Sequence, residues 1–164
     1  MRNTNSNVFL VILLGVLSAF GPFVVDLYLP SLPQLAQFFA TTPSMTQLTL
    51  TTAMIGLAVG QLLLGPMSDK FGRKKPLILS LVIYIISTVC IIFSPNVETM
   101  IVLRVVQGLS SAGSVVISRA VATDLYRGRE MTRFFGLLMT INGIAPIISP
   151  ILGSLLLEYV SWKG

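Results

Sequence analysis

Histidine is absent from the 164 residues, and cysteine occurs once. Without imidazole there are no histidine metal sites, no Ser-His or Cys-His nucleophile pairs and no histidine proton shuttles. The single thiol, Cys90, cannot form a disulfide or a thiolate cluster within one chain, and its apolar setting reads as burial. No Gly-x-x-x-x-Gly-Lys-Ser/Thr stretch occurs, so nothing points to nucleotide hydrolysis. No enzyme chemistry, cofactor or metal is implied. Charge is scarce too: 10% of residues are charged against 54% hydrophobic, with a mean hydropathy of +0.86. A soluble domain does not have that composition.

What the chain has is long apolar runs. At ~20 residues per crossing, its length holds at most about five to seven membrane spans. Five stretches stand out, near 8–29, 45–66, 76–93, 100–121 and 134–157. The expected fold is therefore all-α, a polytopic transmembrane helical bundle. The net charge of +5 does not indicate a nucleic-acid partner, because the basic residues sit between the apolar runs, where they meet lipid headgroups. Arg2 precedes the first span; Lys70, Arg73, Lys74 and Lys75 lie between the second and third; Arg127, Arg129 and Arg133 lie between the fourth and fifth. The alternate connections, 30–44 and 94–99, hold no Lys or Arg, and only Lys163 falls on their side. Eight against one places the N-terminus in the cytoplasm and residue 164 on the outer side of a cell (inner) membrane.

Small residues recur four apart, at Gly56 and Gly60 and at Gly108 and Ala112, a spacing that lets helix backbones approach. Three charged residues fall within spans, where charge is costly and marks function by default. Arg119, near the inner end of the fourth span, can snorkel to the interface and is read as structural. Asp26 would lie roughly 27 Å along a helix begun at residue 8, near the outer surface. The apolar pattern continues, however, through Leu32, Leu35, Phe38 and Phe39, and a helix extended to about Phe39 puts Asp26 in its middle third. Pro22 and Pro30 flank it and Pro33 follows, bends tolerated where backbone faces protein or a water-filled cavity. A carboxyl so placed is neutral or charged according to its neighbours, which makes Asp26 the main candidate proton carrier; an interfacial helix cap is the alternative. Arg104 is always protonated and needs acceptors, with Gln107 and Gly108 on its own face. A structural pairing and a part in proton or substrate coupling both remain open for it.

Between the second and third spans the chain reads Gly65-Pro66-Met67-Ser68-Asp69-Lys70-Phe71-Gly72-Arg73-Lys74-Lys75. Gly65-Pro66 can end one helix, Gly72 allows a tight return and Pro76 suits the first position of the next helix. Asp69 can pair with Arg73, and Asp124 offers a second carboxylate, forming a latch on the cytoplasmic helix ends.

These residues resemble the major facilitator superfamily, and within it the twelve-span drug:proton antiporters of the bicyclomycin/chloramphenicol-resistance (Bcr/CflA) type. Gly65 to Lys75 is similar to the superfamily's loop signature. Asp26-Leu27-Tyr28-Leu29-Pro30-Ser31-Leu32-Pro33 is similar to the first-span signature of drug exporters, and Arg104-Val105-Val106-Gln107-Gly108 to the fourth-span signature, whose arginine the family associates with proton coupling. In the fifth span Gly136, Pro150 and Gly153 match the exporters' glycine pattern, whereas Ala145, Ser149 and Ser154 stand where glycine is usual. Pro146 adds a second kink.

The resemblance implies two six-helix halves, alternating access and a midplane substrate site. Asp26 would bind protons in competition with a drug-like substrate, and Arg104 would set its affinity. Gly65, Asp69, Gly72, Arg73 and Asp124 would form the cytoplasmic gate, and Tyr28, Gln107 and Asn142 would line the substrate cavity. Gly136, Pro146, Pro150 and Gly153 would pack the antiporter helix. Twelve spans need roughly 240 residues in helices alone, so the chain is expected to be an incomplete N-terminal half that needs a C-terminal half for transport, stopping at 161–164 where a sixth span should begin. Two alternatives stay open: a metabolite transporter of the same fold, and a truncated, transport-inactive protein or assembly partner.

Overall fold

The structure, a computed structural model, describes residues 4–160 and 162. Arg2, Ser161, Lys163 and Gly164, which entered the orientation count and the reading of the chain's end, lie outside them. The described residues form helices α1 (Thr4–Asp26), α2 (Leu32–Phe38), α3 (Pro43–Phe71), α4 (Lys74–Ile92), α5 (Val97–Leu125) and α6 (Gly128–Tyr159). A 3₁₀ turn, Leu29–Ser31, joins the first two, and no strand occurs among the described residues. Four of the helices are long and apolar enough to cross a membrane, and a fifth crossing results if α1 and α2 are taken as one bent span.

Local chemistry accounts for the helix starts. Thr42 Oγ1 accepts from the Met45 N–H at 3.4 Å, with Pro43 at the first helical position, and Asn96 Oδ1 accepts from the Thr99 N–H at 2.8 Å. The first span is not the continuous helix to Phe39 expected from its apolar pattern. Its axis bends by 43° between Leu10–Gly21 and Phe23–Phe38, at the position of Pro22, and α-helix gives way at Leu27 before the turn that holds Pro30. Gly65-Pro66 does not end α3, which continues through Pro66 to Phe71. A proline in a membrane helix forfeits one bond that neighbouring groups can replace. The return comes instead at Gly72, whose φ of 81° and ψ of 156° belong to glycine alone. Pro76 is the third residue of α4, not the first, still within the turn whose N–H groups lack helical partners.

Helix α5 is the centre of the bundle, packed by α1, α3 and α4, while α6 lies against α1. At the α3–α5 crossing no side chain separates the backbones. A Cβ on Gly108 would collide with the Ala53 carbonyl, one on Gly56 with the Val105 carbonyl, and one on Gly60 with the Leu109 carbonyl. Lipid is as apolar as leucine, so helices associate in it through such close van der Waals contact. Outward-facing positions are apolar as well: Ile78, Val82, Ile85 and Val89 form one exposed stripe of α4. Cys90 lies beside that stripe and is exposed rather than buried, because an apolar run meant for lipid has no solvent-avoiding side. Buried clusters close the two ends. Leu14, Leu17, Ala122, Phe134 and Leu138 pack near the end that carries the basic loops, and Leu35, Ile91 and Met100 pack at the opposite end.

Replacing Gly108 by Ala is expected to cost about 1–3 kcal/mol by forcing α3 and α5 apart. Gly136→Ala, where nothing lies within 4 Å, should leave stability unchanged. Thermal unfolding of both variants in detergent checks this.

Candidate functional site

Three groups of polar residues interrupt the apolar bundle. The first lies at the basic end. Gly72 turns the chain so that Arg73, at the head of α4, faces back toward α3 and α5. Its Nη1 donates to Asp69 Oδ1 and, at 2.8 Å, to Ser68 Oγ; its Nε donates to Asp124 Oδ2 at 2.9 Å. Ser68 is buried and itself donates to the Gly65 carbonyl at 2.8 Å. One guanidinium therefore ties three helices together. The hydrogen bond to Asp124 holds the Arg73 guanidinium above its ordinary pKa. Of the five residues assigned to this end by sequence, Asp69, Arg73 and Asp124 meet directly, Gly72 provides the turn and Gly65 takes part through its carbonyl. Ser68 was missed, although its place between Gly65 and Asp69 in the loop motif is the signal that could have found it.

The second group surrounds Arg104, about two turns into α5 and buried at 7% exposure. Its guanidinium stacks on the Tyr28 ring, 3.5 Å from the centroid, and Nη1 donates to Gln107 Oε1 at 2.9 Å. Gln107 Nε2 donates to Thr88 Oγ1 of α4 at 2.8 Å, and the Tyr28 hydroxyl pairs with Thr49 Oγ1 of α3 at 2.8 Å. Arg104 Nε has no partner, and no carboxylate pairs with Arg104 among the described residues. Tyr28, Thr88, Arg104 and Gln107 line a cavity of about 410 Å³ between α1, α4, α5 and α6, with Tyr84, Leu156 and Trp162 among its walls. Tyr28 stands in the broken stretch after α1, so Arg104 grips the chain two residues beyond Asp26. Gly153 of α6 closes on the same stretch: a Cβ there would strike the Leu27 carbonyl.

The third group lines a separate cleft of about 340 Å³. Here lie Asp26 and Ser18 of α1, Gln61 of α3, Arg119 of α5, and Asn142 and Pro146 of α6. Asp26 and Arg104 are thus not brought together. They line different cavities, and no ion pair joins them. Helix spacing placed Gln107 on the face of Arg104, as their hydrogen bond shows, but it could not tell on which side of α1 Asp26 would lie. The residue of α5 that shares the cleft with Asp26 is Arg119, set aside by the snorkelling argument. Asn142 Oδ1 is buried with no hydrogen-bond donor among the described residues.

In α6 the expected packing residues separate. Gly153 makes a close approach and Pro150 is half-buried, but Gly136 is exposed with open space around it, so it packs against nothing described here. The helix runs unbroken through Pro146 and Pro150. Ser149, at a position where glycine was expected, is fully buried and donates to the Ala145 carbonyl at 2.7 Å, so its hydroxyl adds no unmet polarity.

The model of the Major Facilitator Superfamily matches residues 9–164. The chain belongs to that superfamily. It is 41% identical over 155 residues to the Uncharacterized MFS-type transporter YdgK of Bacillus subtilis (strain 168), an alignment covering 93% of the chain and 39% of the relative. It is 32% identical over 164 residues to a Bicyclomycin resistance protein homolog of Haemophilus influenzae, covering 100% and 41% of the two. Against a Chloramphenicol resistance protein of Pseudomonas aeruginosa the identity is 31% over 155 residues, covering 94% and 37%. The chain therefore spans about two fifths of the length of these relatives. Family and helices together make it a multi-pass membrane protein of a transporter family.

Arg73→Ala should raise amide hydrogen exchange roughly threefold across residues 66–77, since it removes the hydrogen bonds to Ser68, Asp69 and Asp124 that join the helices there. Molar salt should move the wild-type protein part of the way in the same direction. Exchange read by mass spectrometry decides the matter, and an unchanged pattern would show that the cluster holds nothing.

Proposed function

We propose that this chain is the N-terminal part of a proton-coupled secondary transporter that exports drugs or other small amphipathic molecules by alternating access. The observation that carries the reading is Asp26. It is a carboxyl at the end of an interrupted membrane helix, lining a cleft that Gln61, Arg119 and Asn142 also line, with no ion pair among the described residues. Such a group can take up a proton from one side and release it to the other as the cleft changes exposure. Relatives named for bicyclomycin and chloramphenicol resistance support drugs as the substrate class.

In this reading the Asp69–Arg73–Asp124 cluster, with Gly65 and Gly72, latches the cytoplasmic end and opens when the helices rock. Tyr28 and Gln107 face one cavity and Asn142 the other, and the remaining C-terminal half of the transporter supplies the opposite wall. Arg104 takes part in coupling through the Tyr28 stack, which holds the stretch following Asp26. Gly136, Pro146, Pro150 and Gly153 pack and bend α6, with Gly136 left for contacts outside this chain. The basic end faces the cytoplasm of a cell inner membrane, with the N-terminus inside and residue 164 outside. Protons, substrate and membrane lipid are the partners, and no cofactor enters the cycle.

For the chain by itself, the share of its relatives that it spans favours a second reading: a membrane protein that does not transport, or an assembly partner of another half. Chloramphenicol transport by vesicles holding only the 164 residues would exclude it.

In the intact transporter, Asp26→Asn is expected to abolish export driven by a pH gradient while leaving membrane insertion normal. The readout is chloramphenicol uptake into everted vesicles. Undiminished uptake would remove Asp26 from the mechanism.

A further inference from the structure

Along α3 the buried residues Ala53, Gly56, Gly60, Leu64 and Ser68 fall three or four apart and so form one face, the face that meets α5. Ser68 is the last of them, where that seam reaches the basic end, and it is 1% exposed. Its O–H is committed to the Gly65 carbonyl at 2.8 Å, which turns its lone pairs to Arg73 Nη1, also at 2.8 Å. The other acceptors of Arg73 stand in solvent: the Asp69 side chain is 66% exposed and the Asp124 side chain 51%. Salt screens exposed ion pairs, with a Debye length of ~3 Å at 1 M. A neutral hydroxyl has no charge to screen, and a bond to it at a buried site is strengthened by the low local dielectric. Arg73 is thus held by two charges in water and by one hydroxyl in the seam.

We propose that Ser68 is a positioning residue of the cytoplasmic latch: it keeps Arg73 seated on α3 when the charges of Asp69 and Asp124 are screened. With ion pairs alone, salt would release the long Arg73 side chain to its free rotamers, and each re-formed pair would have to order it again. With Nη1 anchored on Ser68, the guanidinium stays aimed, and Nε remains directed at Asp124 across the gap to α5. Ser68 carries neither charge nor proton and acts through Arg73. The arrangement also joins two parts of the bundle, since the residue that seats the arginine belongs to the same face of α3 as the glycines packed on α5.

The inference rests on the reading of the Asp69–Arg73–Asp124 cluster as a latch, and the two can fail separately. The intact transporter is placed in lipid nanodiscs, and amide exchange across residues 66–77 is followed by mass spectrometry at ~0.1 M and ~1 M sodium chloride. If Arg73→Ala exchanges as the wild type does, the latch itself fails. If Arg73→Ala exchanges faster, Ser68→Ala should stay within about 1.5-fold of the wild type in low salt, where the carboxylates still hold Arg73. In high salt Ser68→Ala should reach the Arg73→Ala level, while the wild type moves only part of the way. Ser68→Cys refills the space with a poor acceptor and should follow Ser68→Ala, which a role in packing alone would not produce. A Ser68→Ala protein with the wild-type salt response overturns the proposal and leaves the latch standing; so does a Ser68→Cys protein that follows the wild type where Ser68→Ala departs from it.

Discussion

Helices α3 and α5 touch backbone to backbone at Gly56, Gly60 and Gly108. In water, apolar side chains between two helices would drive them together; among lipid tails they gain almost nothing by leaving lipid, and contact area at short range is what remains. Once α5 is fixed against α3, its other faces have definite neighbours. Gly113 is pressed on Ser80 of α4, Val115 reaches Gly21 of α1, and Asp124 comes under Arg73. Arg104, Arg119 and Asp124 are all carried by this one helix, so the seam that seats α5 also sets where each of its charges can act.

Polarity inside the bundle is handled in two ways. Although the buried Ser114 hydroxyl finds no partner among the described residues, three serines of α5, Ser110, Ser111 and Ser118, spend their hydroxyls on their own helix, each donating to the carbonyl three residues back. That lets a polar sequence run through a dry core. Arg104 cannot do this, since five N–H donors exceed what one helix offers. It recruits an aromatic face from the α1 break and an amide from its own next turn, and even then its buried Nε finds no partner among the described residues. The break after Asp26 is what delivers Tyr28 to it.

How far the sequence reveals all this depends on how local each feature is. The Gly56/Gly60 and Gly108/Ala112 spacings are properties of single helices, and the seam could be read from them. The meeting of Asp69 with Arg73 follows from four residues of separation around a glycine turn. The separation of Asp26 from Arg104 was not legible, because it depends on which side of α1 faces α5, and helical periodicity in a chain apolar all round gives no inside or outside. The same ambiguity hid the exposure of Cys90 and Gly136. Gly65-Pro66 misled for a different reason: the breaking power of proline is judged against water, and a membrane helix surrounded by protein and lipid continues through it to Phe71.

The buried face of α5 has a consequence for how the protein is made. Of the four helices long and apolar enough to cross a membrane it has the largest buried share, and its inward positions include four serines, two glycines, two alanines, a glutamine and an arginine among the apolar ones. Alone in lipid, that face would present a guanidinium and an amide to hydrocarbon. The segment emerges from synthesis after α3 and before α6, when the glycine groove of α3 already exists. Its entry into the membrane is therefore a joint event with α3, and a lesion in that groove would act first on the topology of the chain.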